Sequence, residues 1–135
     1  MDFIKHLQNQ TAGYKGEFSE TIHAAPLIFQ LLNDLTLSKE IRKERRYDLY
    51  VAMGYFIAPS DLYSEDIFGP IGYVDDILLS LYVLDSIKRE SGVEPILDCW
   101  ENSLSELEKL LNTDLPALIK KYPEIARRLK EIILK

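Results

Sequence analysis

Two stretches of this chain are too apolar to face water and too short to cross a membrane. Leu49 to Ser60 runs twelve residues without a charge, and Ile77 to Leu84 runs eight more just after Asp75-Asp76. A spanning helix needs roughly 18–20 apolar residues, so both stretches belong inside a water-excluded core. At 135 residues the chain has room for one such core, and we read 1–135 as a single domain. Hydrophobic residues make up 47% of the chain and charged residues 28%, the balance of a globular protein and not of a disordered tail.

The spacing around these stretches predicts an all-α protein of six to seven helices around a buried antiparallel helical hairpin. A short helix is expected from Asp2 to about Gln10, ahead of a turn through Gly13 and Gly16. Ser19 is placed to cap a segment that passes Pro26, where a break is allowed, and runs to about Leu37, with Ile22, Ala25, Phe29 and Leu32 on one face. Ser38 is placed to cap a long helix reaching about Ala58. Its second half is apolar almost all round, which predicts a buried helix. A strand over Tyr50 to Ile57 is the alternative, opposed by the helical phase that continues unbroken from Ile41. A turn-rich connection over 61–72 leads to a second buried helix, about Tyr73 to Glu90. Pro95 then opens a helix carrying Leu97, Trp100, Leu104, Leu107 and Leu111, followed by helices at about Asp114–Lys121 and Pro123–Leu134. The hairpin core thus covers about 25–90, and the C-terminal helices about 95–134.

Charge is strongly segregated. Asp48 to Asp114 holds fourteen acids against three bases, a net of −11, while the two ends together carry +5. Such a middle repels phosphate backbones, so no nucleic-acid partner is expected there. The one cysteine, Cys99, cannot form an internal disulfide, and the N-terminus lacks the basic-then-apolar layout of a signal peptide. We therefore expect a cytoplasmic protein without a transmembrane span, with a membrane-peripheral position as the variant.

The most informative stretch joins the two apolar runs. Pro59 ends the first helix at Ala58, and Asp61 beside it can accept hydrogen bonds from backbone N–H groups downstream. Gly69, Pro70 and Gly72 permit a tight connection. Asp75 and Asp76 fall in the first turn of the next helix, where the positive end of its dipole stabilises a carboxylate by roughly 0.3–1 kcal/mol. Asp61, Glu65, Asp66, Asp75 and Asp76 follow one another with no base between them.

At Tyr55, Pro59, Asp61, Leu62, Gly72, Tyr73, Asp75 and Asp76 the sequence resembles the YkvA-like family, small bacterial and archaeal proteins built around a domain of unknown function. That pattern runs tyrosine, a few apolar residues, Ser/Ala-Pro-x-Asp-Leu, a short turn, then Gly-Tyr-hydrophobe-Asp-Asp. Ser64 departs from it, standing where many members carry proline. The resemblance implies a helical fold and, in some members, membrane association, with no established reaction.

Two readings compete for the carboxylates. Asp61, Asp75 and Asp76 could hold a divalent cation, Mg²⁺ or Ca²⁺, through hard oxygen ligands. Alternatively each caps backbone donors or pairs with Arg42, Arg45 or Arg46, and on this second reading no cofactor is expected. Neighbouring aspartates project about 100° apart on a helix, which disfavours joint ligation of one ion. Catalysis has little to build on: His6 and His23 are the only histidines, and a Cys99–His23 pair would need the fold to join them. The tyrosines read as core residues with bonded hydroxyls. Lys120, Lys121, Arg127, Arg128 and Lys130 could rest on an anionic membrane surface. Whether the chain is an enzyme stays open, leaning to no. The leading expectation is a helical module that binds a protein partner or self-associates, against a metal-dependent enzyme or sensor and a peripheral membrane protein.

Overall fold

The computed structural model describes residues 2–57 and 73–133. Among them the regular structure is entirely helical, in nine α-helical segments and one π-helical turn. In chain order these are α1 (Phe3–Thr11), α2 (Ser19–His23), α3 (Ala25–Leu35), α4 (Lys43–Ile57), α5 (Val74–Ser91), α6 (Glu94–Cys99), α7 (Leu104–Lys109), the π turn (Leu110–Asp114), α8 (Leu115–Lys121) and α9 (Pro123–Ile133).

The rod at the centre is α5. Residues Val74 to Leu84 are all buried, as are Ser86 and Ile87, so the helix has no wet face over its first three turns. α4, α9, α8, α6 and α3 pack around it. Each Leu or Ile fully withdrawn from water here contributes roughly 1.5–3 kcal/mol. The basic pair Lys88-Arg89 in the last turn opposes the negative dipole end, and Gly92 leaves the helix at φ +83°, a conformation that favours glycine.

α4 and α5 run in opposite directions. Phe56 near the end of α4 lies 6.4 Å from Tyr73 at the head of α5, ring centre to ring centre. Arg45 near the start of α4 reaches Glu90 near the end of α5 at 3.0 Å. The bend between them, with Pro59, Asp61, Glu65 and Asp66, lies outside the described residues. Phe3, Phe29, Phe56 and Tyr73 form a chain of ring contacts from α1 through α3 and α4 to α5, with centroids 4.9, 5.7 and 6.4 Å apart.

Several helix starts differ from expectation. Asp2 caps α1 through the Lys5 N–H, but Ser19 is itself helical, behind Phe18 at φ +58°. The segment through Pro26, where a break is allowed, divides just before that proline, at Ala24. Ser38 does not cap α4. Its hydroxyl accepts from the Glu40 N–H in a local turn, a bond short polar side chains readily make in competition with helix. The helix starts instead at Lys43, and Arg46 reaches back to donate to the carbonyls of Ser38 and Ile41, both at 3.1 Å. The helix expected to run on from Pro95 stops at Cys99, where Trp100 turns extended and its indole N–H donates to the Ser103 carbonyl.

Pro116 accounts for the π turn. Its nitrogen carries no proton, and its ring crowds the carbonyl four residues back, so a continuous α-helix cannot pass. The chain widens by one residue there, and the Leu115 N–H bonds Leu110 O. That widening suits Lys109 and Asp114, five residues apart, whose side chains meet at 3.1 Å through both carboxylate oxygens.

Candidate functional sites

The head of α5 carries two acids in its first turn, and both side chains are wholly buried. Asp75 Oδ1 accepts from the Asp76 N–H at 2.9 Å, and the Ser80 hydroxyl donates to the Asp76 carbonyl at 2.8 Å. Neither aspartate is without a partner. Asp61, the third member of the expected set, lies outside the described residues. Among the described residues no three His, Cys, Asp or Glu side chains are grouped to hold a metal ion. Arg42, Arg45 and Arg46, suggested as partners, sit at or just before the start of α4, roughly 15–20 Å by helix rise from Asp75 and Asp76.

There Arg45 forms the main ionic knot of the fold. Its guanidinium donates to Asp48 Oδ2 at 2.6 Å, pairs with Glu90 Oε2 at 3.0 Å, and reaches the Ile133 carbonyl at 3.4 Å. One side chain thus ties α4 to α5 and α9. Asp48 is 7% exposed and Arg45 13%, so the pair has left bulk water. Burial pushes the Asp48 carboxyl above its ordinary value, with Arg45 opposing. The hydrogen bond from Arg45 holds the Glu90 carboxyl below its ordinary value. A cleft of about 430 Å³ opens beside the knot between α4 and α9, lined by Lys43, Glu44, Tyr47 and Ile132 among others.

The outer face of α4 is the largest surprise. Its apolar second half was expected to be buried, but only Asp48, Leu49, Ala52 and Phe56 are enclosed. Tyr47, Tyr50 and Ile57 are 68%, 57% and 56% exposed, with Gly54 exposed between them. Positions 43, 47, 50, 54 and 57 fall within about 80° of one another at 100° per residue, so they make one stripe. Tyr47 and Tyr50 correct the expectation of core tyrosines, which Tyr73 and Tyr82 do satisfy. The reason is geometric. α3 and α5 occupy two sides of α4, and among the described residues nothing covers the third.

A second cleft, about 300 Å³, lies between α2, α7 and the π turn, lined by Glu20, His23, Trp100, Lys109 and Asp114 among others. Cys99 is not among its lining residues. His23 Nε2 is bonded to the Tyr14 carbonyl at 2.7 Å. Burial, and then the acids Asp34, Asp98 and Glu40, push the Cys99 thiol up, away from the thiolate a nucleophile requires. Of the C-terminal bases, Arg127 pairs with Glu124 and Glu131, and Lys121 with Glu17. No helix among the described residues is long and apolar enough to cross a membrane.

The comparisons with known proteins fall on this same region. A family model described as "Protein of unknown function (DUF1232)" matches residues 49–82, from the middle of α4 to the middle of α5. The chain is also similar to a protein of Methanothermobacter thermautotrophicus described as "Uncharacterized protein ORF9", 29% identical over 91 residues. That similarity covers 67% of this chain and 62% of the relative's length. No solved structure matches.

Proposed function

We propose that this chain is a YkvA-like, non-enzymatic helical module that works by binding a protein, and that the outer face of α4 is its recognition surface. One observation carries the reading: Tyr47, Tyr50 and Ile57 stand more than half exposed in one stripe of a helix whose other sides are packed. Tyrosine is enriched where protein surfaces meet, because it offers a large apolar ring and a hydroxyl at little entropic cost. The matched family segment includes Tyr50, Gly54 and Ile57. A cytoplasmic location belongs to the same reading and rests on the sequence alone.

The test is a photo-crosslinking residue at position 50 in the full chain, expressed in cells, with position 130 on the exposed side of α9 as control. The reading expects protein adducts from position 50 that are absent from position 130. Equal labelling, or none, would overturn it, and adducts to lipid would transfer the surface to a membrane.

A second reading keeps the divalent cation. Two adjacent, wholly buried carboxylates at one helix head support it, because buried charge requires compensation by donors or by a metal. Titration of the full chain with Mg²⁺, Mn²⁺ and Ca²⁺ decides. Heat of binding that disappears in Asp75→Asn favours the cation, and no heat with no melting shift leaves capping.

A further inference from the structure

We infer that the partner of the α4 face is a second copy of this chain, packed antiparallel about a two-fold axis on the exposed stripe, level with the midpoint between Tyr50 and Gly54. This rests on the reading of α4 as the recognition surface and names its occupant. Gly54 is the first support. Glycine inside a helix is unfavourable relative to alanine, and a Cβ built at Gly54 meets nothing within 4 Å among the described residues. Packing within the described fold therefore gives no reason for glycine here. Close approach by another backbone does.

The second support is register. A two-fold axis midway between the levels of Tyr50 and Gly54 sets Tyr50 of one copy over Gly54 of the other, and Tyr47 against Ile57, each pair occurring twice. Large meets small at the centre, and aromatic meets aliphatic at the flanks. A heterologous partner would need no such match between positions 50 and 54 of one chain.

Charge fixes the direction. Lys43 and Arg46 lie at the start of α4, and no charge follows Asp48 up to Ile57. Parallel pairing would put bases against bases. Antiparallel pairing keeps the two basic ends apart and sets the uncharged 49–57 half of each α4 against that of its partner. The shared face of one 15-residue helix is small beside the roughly 1,600 Å² of a standard interface, so the dimer is weak and reversible, with Kd on the order of 10–100 µM.

Sedimentation equilibrium of the full chain across about 5–500 µM tests this range. The wild type should move from the 15.6 kDa monomer toward twice that mass. Gly54→Leu should weaken association at least tenfold. Its melting temperature, read where the wild type is monomeric, should be no lower than the wild type's, because the space is open and leucine favours helix. Tyr50→Lys should abolish association and leave the fold intact. A wild type that stays monomeric throughout, or a dimer that tolerates both substitutions, overturns the inference. If the crosslinker at position 50 then captures a different protein, the module reading survives without the dimer. If it captures nothing, both fail.

Discussion

Arg45→Met probes the electrostatics of the fold where the numbers can be worked. The substitution removes the guanidinium and keeps most of the aliphatic stem. Asp48 is then left 7% exposed and ionised, without the 2.6 Å bond that balances its burial. Breaking a fully buried ion pair costs about 3–5 kcal/mol. Arg45 at 13% and Glu90 at 25% exposure let some water relax the site, so we expect a loss of about 2–4 kcal/mol. The double variant Arg45→Met/Asp48→Leu replaces the pair by apolar groups and orphans no buried charge, so it should lie within about 1 kcal/mol of wild type. Urea unfolding at pH 7 with a shared slope reads both. A single variant that loses less than about 1 kcal/mol, or a double variant no more stable than the single, would refute the assignment of Arg45 as the counterion Asp48 requires.

Other expectations follow from the same contacts. Leu81→Ala empties the middle of α5, where the side chain is fully buried, and should lower stability by about 2–5 kcal/mol in urea. Asp76→Asn puts an amide into a wholly buried position and should lower stability by about 1–3 kcal/mol, which thermal unfolding will show. Glu90 has its carboxyl held below the ordinary value by Arg45, so its contribution is present above the unfolded value and lost as pH falls through the folded one. The stability gap between wild type and Glu90→Gln should therefore narrow from pH 7 toward pH 3. Asp48 runs the other way, because its carboxyl is raised by burial. Acid relieves its cost, and the Arg45→Met deficit should shrink over the same pH range.

The sequence made the helical class legible because its apolar residues keep a three-to-four period wherever the core is formed. The burial of Ile77 to Leu84 followed from the lack of charge, and Asp75 and Asp76 were placed correctly in the first turn of their helix. Helix starts were less legible. Ser38 could cap a helix or fold a turn on itself, and only Arg46 reaching back to two carbonyls selects the turn. The exposed side of α4 could not be read at all. An apolar helix is buried only if neighbours exist for every side, and Tyr50 and Ile57 look the same in sequence whether covered within the chain or by a second molecule. The Arg45 knot was missed because Asp48, Glu90 and Ile133 come together only when three helices pack. Its one sequence signal was a carboxylate three residues after an arginine, a spacing common on helix surfaces.

The most direct test of the recognition surface is the adduct formed by a photo-crosslinker at position 50 in the full chain. Covalent dimers from position 50, absent from position 130 and lost on Gly54→Leu, are the expected outcome. Labelling that is indifferent to position would mean that the exposed tyrosines of α4 meet only water.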